Sequence, residues 1–101
     1  MPVRIGLGRP EVEGEQSLRE EIKTELLSAK PTGEPVIIID RPHAGTTHLY
    51  VIWSKWGRLE QRVRSRIIFD AFAEAKGVHD AGEVTVAMGL TPDEAEQLGI
   101  K

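Results

Sequence analysis

The chain contains no cysteine among its 101 residues. Disulfides, thiolate metal sites and cysteine nucleophiles are therefore excluded from the chain itself. The sequence also lacks any apolar run that approaches the roughly 18 residues of a membrane span, and its first residues lack the apolar segment of a signal peptide. We therefore expect a cytoplasmic protein that does not bind membranes.

Motifs for catalysis and cofactor binding are also missing. Gly6 and Gly8 lack the third glycine and the preceding strand of a dinucleotide-binding site. No serine or threonine stands in a nucleophile motif. The three histidines of the chain show none of the close pairing of a zinc site, which leaves His48 and His79 as weak metal candidates. We expect no enzymatic activity, cofactor or bound metal, and no motif identifies a small-molecule ligand.

The charge is unevenly distributed, although the net value is only −3. Residues 1–40 hold five Lys or Arg against eight Asp or Glu, residues 41–66 hold six against one, and residues 67–101 hold two against seven. The middle of the chain is thus locally positive between two acidic segments. Such a local field favours a charged partner that the net charge does not indicate.

The stretch from Thr46 to Lys76 holds both tryptophans and most of the apolar mass. Apolar residues alternate over 48–53, and both faces of this predicted strand are apolar, so we expect helices on one face and further chain or a partner on the other. After Gly57 the period becomes helical and predicts a helix over 58–76, with apolar positions at Val63, Ile67, Ile68, Ala71, Phe72 and Ala75.

Four further elements complete one domain over residues 16–101, preceded by a flexible arm over 1–15. Ser17 and Glu20 have the spacing of a capping box, which predicts a first helix that ends before Pro31. Short β-branched runs predict strands over 35–40 and 83–88. Thr91 and Pro92 then predict the cap and first turn of a last helix.

The predicted order is therefore α-β-β-α-β-α. Two strands form a hairpin, and a crossover helix leads to a third strand. Because such crossovers are right-handed, the helices collect on one face of the sheet. The sequence predicts an α+β fold, a two-layer sandwich whose three-stranded mixed sheet carries its helices on one face.

Several residues at matching places resemble the BolA-like proteins, whose domain has the αββαβ order of type II KH domains. The resemblance covers about residues 17–98 and is carried by Asp40, His48, Val51, Ser54, Trp56, Arg64-Ser65-Arg66, His79 and Thr91-Pro92-Asp93-Glu94. It implies a partner role with a monothiol glutaredoxin, in which His79 helps to hold an iron-sulfur cluster. The family typically has Arg-His-Arg where this chain has Arg64-Ser65-Arg66. No two glycines stand three apart, so the GXXG loop with which KH domains clamp RNA is missing.

The strongest candidate for a contact surface lies on the predicted basic helix over 58–76. Arginines recur there at four-residue spacing near two aromatic residues, and the candidate contact residues are Lys55, Trp56, Arg58, Arg62, Arg66 and Phe69. Such a set can meet a protein partner, a second copy in a homodimer or single-stranded RNA. It can equally be a solvated helix face with weak ion pairs to Glu60 and Asp70. We favour a protein partner or self-association over RNA, because the clamp loop is missing and the net charge is negative.

Overall fold

The computed structural model describes residues 12–100, so the first eleven residues of the predicted arm lie outside the described range. The described elements are α1 (Glu15–Leu27), β1 (Val36–Asp40), β2 (Thr47–Ile52), a 3-10 turn (Ser54–Trp56), α2 (Gln61–Lys76), α3 (Val78–Ala81), β3 (Val84–Leu90) and α4 (Pro92–Leu98).

The three strands form one mixed sheet in the order β1-β2-β3. β1 and β2 pair antiparallel as a hairpin, with Ile38 opposite Tyr50, whereas β2 and β3 pair parallel. Parallel neighbours need a crossover connection, and α2 with α3 supplies it. The predicted α+β fold with a three-stranded mixed sheet is confirmed.

α1 and α2 cover one face of the sheet and form the main core with it. The alternating positions Leu49 and Val51 of β2 point to this core, as the period of a half-buried strand requires. The apolar stripe of α2 packs onto them together with Ile22 of α1, and Leu18 and Leu26 of α1 pack partly buried against the same cluster. The buried core also includes Trp53, Trp56, Val63, Ile67, Ile68, Ala71 and Phe72.

α4 packs elsewhere, in a second cluster where Ala95 meets Ile52 and Leu90. Ile52 is the neighbour of Val51 in β2, so their side chains point to opposite faces of the sheet. α4 therefore contacts the face that α1 and α2 leave open. The helix starts as the sequence predicts, with Thr91 as its cap and Glu94 closing a capping box. Because the cap directly follows the last residue of β3, the chain has no linker with which to return to the first face.

Three helical features differ from the sequence prediction. α1 begins at Glu15 with Gly14 as its cap, so the predicted capping box at Ser17 does not form. α2 begins at Gln61, and Arg58 therefore lies in the turn before the helix. The predicted loop after α2 contains the single helical turn α3.

Candidate functional site

Arg64 is the most connected arginine of α2, and its side chain is buried. Its Nε donates to the Leu59 carbonyl at 2.8 Å, and its terminal nitrogens donate to the carbonyls of Gly57 at 3.2 Å and Gly89 at 3.0 Å. It also forms an ion pair with Glu94 of α4 at 2.7 Å. A guanidinium suits this position because its fixed fork of donors serves several acceptors at once. Arg64 therefore joins α2 to the preceding turn, to β3 and to α4.

Two neighbouring side chains of α2 bind the outer edge of β3. The Gln61 amide accepts from the Gly89 N–H and donates to the Gly89 carbonyl, both at 2.8 Å, as a neighbouring strand would. The Ser65 hydroxyl donates to the carbonyl of Ala87. These bonds satisfy edge groups of a strand that would otherwise attract another chain.

Arg66 is also turned inward, to Glu15 at the start of α1. Two of its nitrogens donate to the two Glu15 carboxylate oxygens, at 2.7 and 3.2 Å, and its side chain is only 13 % exposed. Burial alone would raise the pKa of Glu15. The hydrogen bonds from Arg66 and from the Val12 amide, with the positive charges of Arg66 and Arg19, outweigh burial, so the net pKa lies below its ordinary value of 4.5. This pair fastens the start of α1 to α2.

We expect acid to weaken the fold through Glu15. Its folded-state pKa is lowered, so its contribution is fully present above pH 4.5 and is lost as the pH falls through the lower folded value. Urea unfolding from about pH 6 to about pH 3 should show a falling free energy of unfolding, and Glu15→Gln should show a shallower fall. Equal slopes in the parent and the variant would contradict this role.

Trp56 is buried, with 1 % of its surface exposed. Its indole N–H donates to the Val51 carbonyl at 2.9 Å, and its ring meets Trp53 edge to face at 5.3 Å. The ring cannot stack on a partner, so Trp56 is removed from the predicted contact surface.

Lys55 is exposed, but it forms an ion pair with Glu21 of α1 at 2.8 Å and lies over the Trp53 ring.

Besides Lys55, the predicted contact residues that the fold leaves exposed are Arg58, Arg62 and Phe69. The Arg62 side chain is 81 % exposed and meets the exposed Glu60 at 2.8 Å. Phe69 is 40 % exposed. Arg62 and Phe69 both line a groove of about 560 Å³ between α2 and β3, here called the α2–β3 groove, with Ser65, Arg66, Asp70, Val84, Thr85 and Ala87. The structure thus brings together Arg62, Arg66 and Phe69 and leaves Lys55, Trp56 and Arg58 outside the groove.

The histidines do not converge. His48 on β2 contacts Tyr50 edge to face, with 6.4 Å between the ring centres. The His79 side chain on α3 is 90 % exposed and lies 3.9 Å from the Glu83 carboxylate. Within residues 12–100 no group of three or more His, Asp or Glu side chains is placed to hold a metal ion. His48 and His79 therefore do not form one site.

Comparisons with protein-family models, curated proteins and solved structures found no match to this chain. The resemblance to BolA-like proteins, with its implied glutaredoxin partner and iron-sulfur role for His79, stays a prediction. Across the described range, no helix combines the length and the hydropathy that crossing a membrane requires.

Proposed function

We propose that this protein is a small, non-enzymatic module that binds a protein partner in the α2–β3 groove. The observation that carries the proposal is Phe69, a large apolar side chain left 40 % exposed at a groove beside the exposed cation Arg62. Aromatic residues and arginine are enriched in the energetic centres of protein interfaces. A location in the cytoplasm belongs to the same proposal, because a chain without cysteine needs no oxidising compartment to fold.

The rigidity of the groove supports the proposal. Arg64 and Gln61 tie α2 to β3 at Gly89, and Ser65 ties it at Ala87. The helix and the strand that form the two walls are therefore held together by one bond in the groove and by others beside it. A preformed groove binds with less loss of conformational entropy than one that must assemble.

A protein partner is favoured over RNA by where the positive charge lies. Binding to single-stranded RNA needs a row of accessible cations and aromatic rings on which bases stack. Arg64 and Arg66 are committed to internal acceptors, and Trp56 is buried. Arg62 beside Phe69 instead suits a peptide segment that carries an apolar side chain next to a carboxylate.

Site-specific photo-crosslinking in the cells that produce the protein tests this function. A photoreactive residue in place of Phe69 should form an adduct with a defined protein, and the same residue in place of Leu98, which is exposed on α4, should not. Binding of the purified captured partner should weaken at least about tenfold in Arg62→Glu and in Phe69→Ser, as expected for central interface residues.

Matched controls separate the groove from general surface effects. Lys76→Glu reverses a charge at the exposed end of α2, and Leu98→Ser removes an exposed apolar side chain from α4. Both variants should bind as the parent does. The proposal is contradicted if the partner binds equally well to Arg62→Glu and Phe69→Ser. Salt-sensitive binding of single-stranded RNA that both groove variants lose would assign the groove to nucleic acid instead.

A further inference from the structure

The chain enters the described fold beside the α2–β3 groove. The first described residue is Val12, whose N–H donates to Oε1 of Glu15 at 3.0 Å. The same oxygen accepts from a terminal nitrogen of Arg66 at 2.7 Å, and Arg66 lines the groove. Residues 1–11, here called the leading segment, are thus attached to the fold within two hydrogen bonds of the groove.

The point of attachment is also fixed by packing. Val12 packs partly buried against the main core, and its carbonyl accepts from the Glu15 N–H at 3.0 Å. A segment that begins at a fixed point next to a groove is present there at a high effective concentration, about millimolar for a short connection. The leading segment therefore has an advantage over any separate molecule of equal intrinsic affinity.

The leading segment is long enough to cross the groove. An extended chain advances about 3.3 Å per residue, so residues 1–11 span up to about 36 Å. The groove passes from Arg66 by way of the exposed Arg62 and Phe69 of α2 to Thr85 of β3. A helix with its side chains is only about 10–12 Å wide. The segment can therefore reach the β3 wall with several residues left over.

The sequence of the leading segment suits an apolar groove wall. Val3, Ile5 and Leu7 alternate with Arg4 and two glycines. This is the period of a strand that has one apolar face. Such a face complements Phe69, which is 40 % exposed at the groove.

The outer edge of β3 is guarded by α2 only in part. Gln61 binds both backbone groups of Gly89, and Ser65 binds the carbonyl of Ala87. Phe69 follows at the same four-residue spacing, but its side chain has no polar group with which to continue this series. The polar side chains of α2 thus cover the later part of β3, and Phe69 stands beside the earlier part.

The earlier part of β3 is also irregular. Val84 and Val86 pair with the consecutive β2 residues Thr47 and His48, so a bulge leaves Thr85 outside the β2 ladder. Thr85 is exposed and lines the groove. Edge groups of this kind accept an added strand.

We propose that the leading segment occupies the α2–β3 groove of its own chain as a displaceable cover. Val3, Ile5 and Leu7 lie against Phe69 and the earlier part of β3, and a partner must displace them. This regulation rests on the proposed function, because it concerns the same groove. The position of the segment itself does not depend on any partner.

The charges make the leading segment the weaker of the two occupants. Residues 3–8 contain no carboxylate to pair with Arg62, whereas the partner peptide inferred above carries one. A cover of lower intrinsic affinity raises the partner concentration that is needed and still gives way to the partner.

A spin label in the full-length protein tests where the segment lies. Because the chain has no native cysteine, a nitroxide can be attached at Pro2→Cys alone. We expect it to abolish the amide NMR signals of Ser65 and Thr85 and to leave that of Glu20. Glu20 lies only about 8 Å along α1 from Glu15, but it lines a different cavity. A segment that merely moves about its attachment would therefore broaden Glu20 as well.

Variants on each side of the contact identify its cause. Ile5→Ser with Leu7→Ser removes the apolar face of the segment, and Phe69→Ser removes its contact in the groove. Each change should restore the signal of Thr85 in the spin-labelled protein. Leu98→Ser removes an exposed apolar side chain from α4 and should leave that signal abolished.

Partner binding tests the competition. Ile5→Ser with Leu7→Ser should bind the captured partner at least about threefold more tightly than the parent, because the partner no longer displaces the segment. The matched control Gly6→Ser lies on the other face of the segment and should bind as the parent does. Equal affinity of the parent and the double variant would remove the regulatory role.

The position of the segment is contradicted if the label broadens Glu20 as strongly as Thr85, or if the loss of the Thr85 signal survives Ile5→Ser with Leu7→Ser. Broadening that arises only between separate spin-labelled and ¹⁵N-labelled copies would assign the groove to the segment of a second copy instead. The label is read without a partner, and photo-crosslinking at Phe69 is read without the label. The two proposals therefore fail separately.

Discussion

Gly89→Ala should lower the free energy of unfolding by about 2–4 kcal/mol, among the largest effects of any single methyl group in this chain. A Cβ at Gly89 would lie 2.7 Å from the Trp56 ring and 2.9 Å from the Cβ of Arg64. The indole is fixed by its bond to Val51, and Arg64 is fixed by its acceptors, so neither neighbour can move cheaply. Thermal unfolding followed by circular dichroism should show a midpoint lowered by more than about 10 °C.

Gly82→Ala is the matched control for this change. Gly82 has right-handed helical backbone angles, φ −65° and ψ −16°, and its added Cβ would lie 3.3 Å from the nearest carbonyl oxygen, that of His79. We expect the free energy of unfolding to change by less than about 1 kcal/mol. Alanine makes the unfolded chain less flexible, and this gain offsets slight crowding in the folded state. Equal losses in both variants would show that the Trp56 ring does not press on Gly89.

Arg64→Met should destabilise the fold by about 2–4 kcal/mol. Methionine has a similar length and keeps the packing of the stem, but it leaves the carbonyls of Gly57 and Leu59 without their donor and removes one of the two donors to the Gly89 carbonyl. The Glu94 side chain is 45 % exposed and can turn to water, so the unsatisfied carbonyls account for most of the loss. Urea unfolding at neutral pH measures this loss in the free energy of unfolding.

Two further variants identify the cause of the lost stability. Arg64→Lys keeps a positive charge near Glu94 but cannot reach all the carbonyls, so it should fall between the parent and Arg64→Met. Arg62→Met removes an exposed arginine two residues away, and its bond to the exposed Glu60 is worth at most about 0.5 kcal/mol. If Arg62→Met destabilised as much as Arg64→Met, the assignment of these two side chains would be wrong.

The secondary structure followed closely from the sequence wherever local physics decides it. Thr91 and Pro92 start α4 as predicted, because a capping box satisfies its amides within the same turn. Alternation over residues 48–53 predicted the strand β2, because the side-chain period of a strand is two. The start of α1 was predicted three residues late, since Glu15 is held by Arg66, 51 residues away along the chain.

The candidate site was predicted less well, and the sequence held a signal that would have improved it. Arg64 stands three, four and seven residues before Ile67, Ile68 and Ala71. That spacing places it in the middle of the apolar stripe of α2, so its burial could have been predicted from helical periodicity. The inward turn of Arg66 could not, because its acceptor lies on another helix. The charge sum over residues 41–66 assumes that all six cations lie at the surface, whereas Arg64 and Arg66 are turned inward.

The central claim is that the arginines of α2 are divided between the interior and the surface. Amide-type NMR spectra of the ¹⁵N-labelled protein observe the guanidinium Nε–H groups directly, with exchange rates that report burial and hydrogen bonding. We predict sharp, slowly exchanging Nε–H signals for Arg64 and Arg66, and rapid exchange for Arg62. Rapid exchange at Arg64 and Arg66 would contradict the claim, because both would then face water with Arg62 as one basic row.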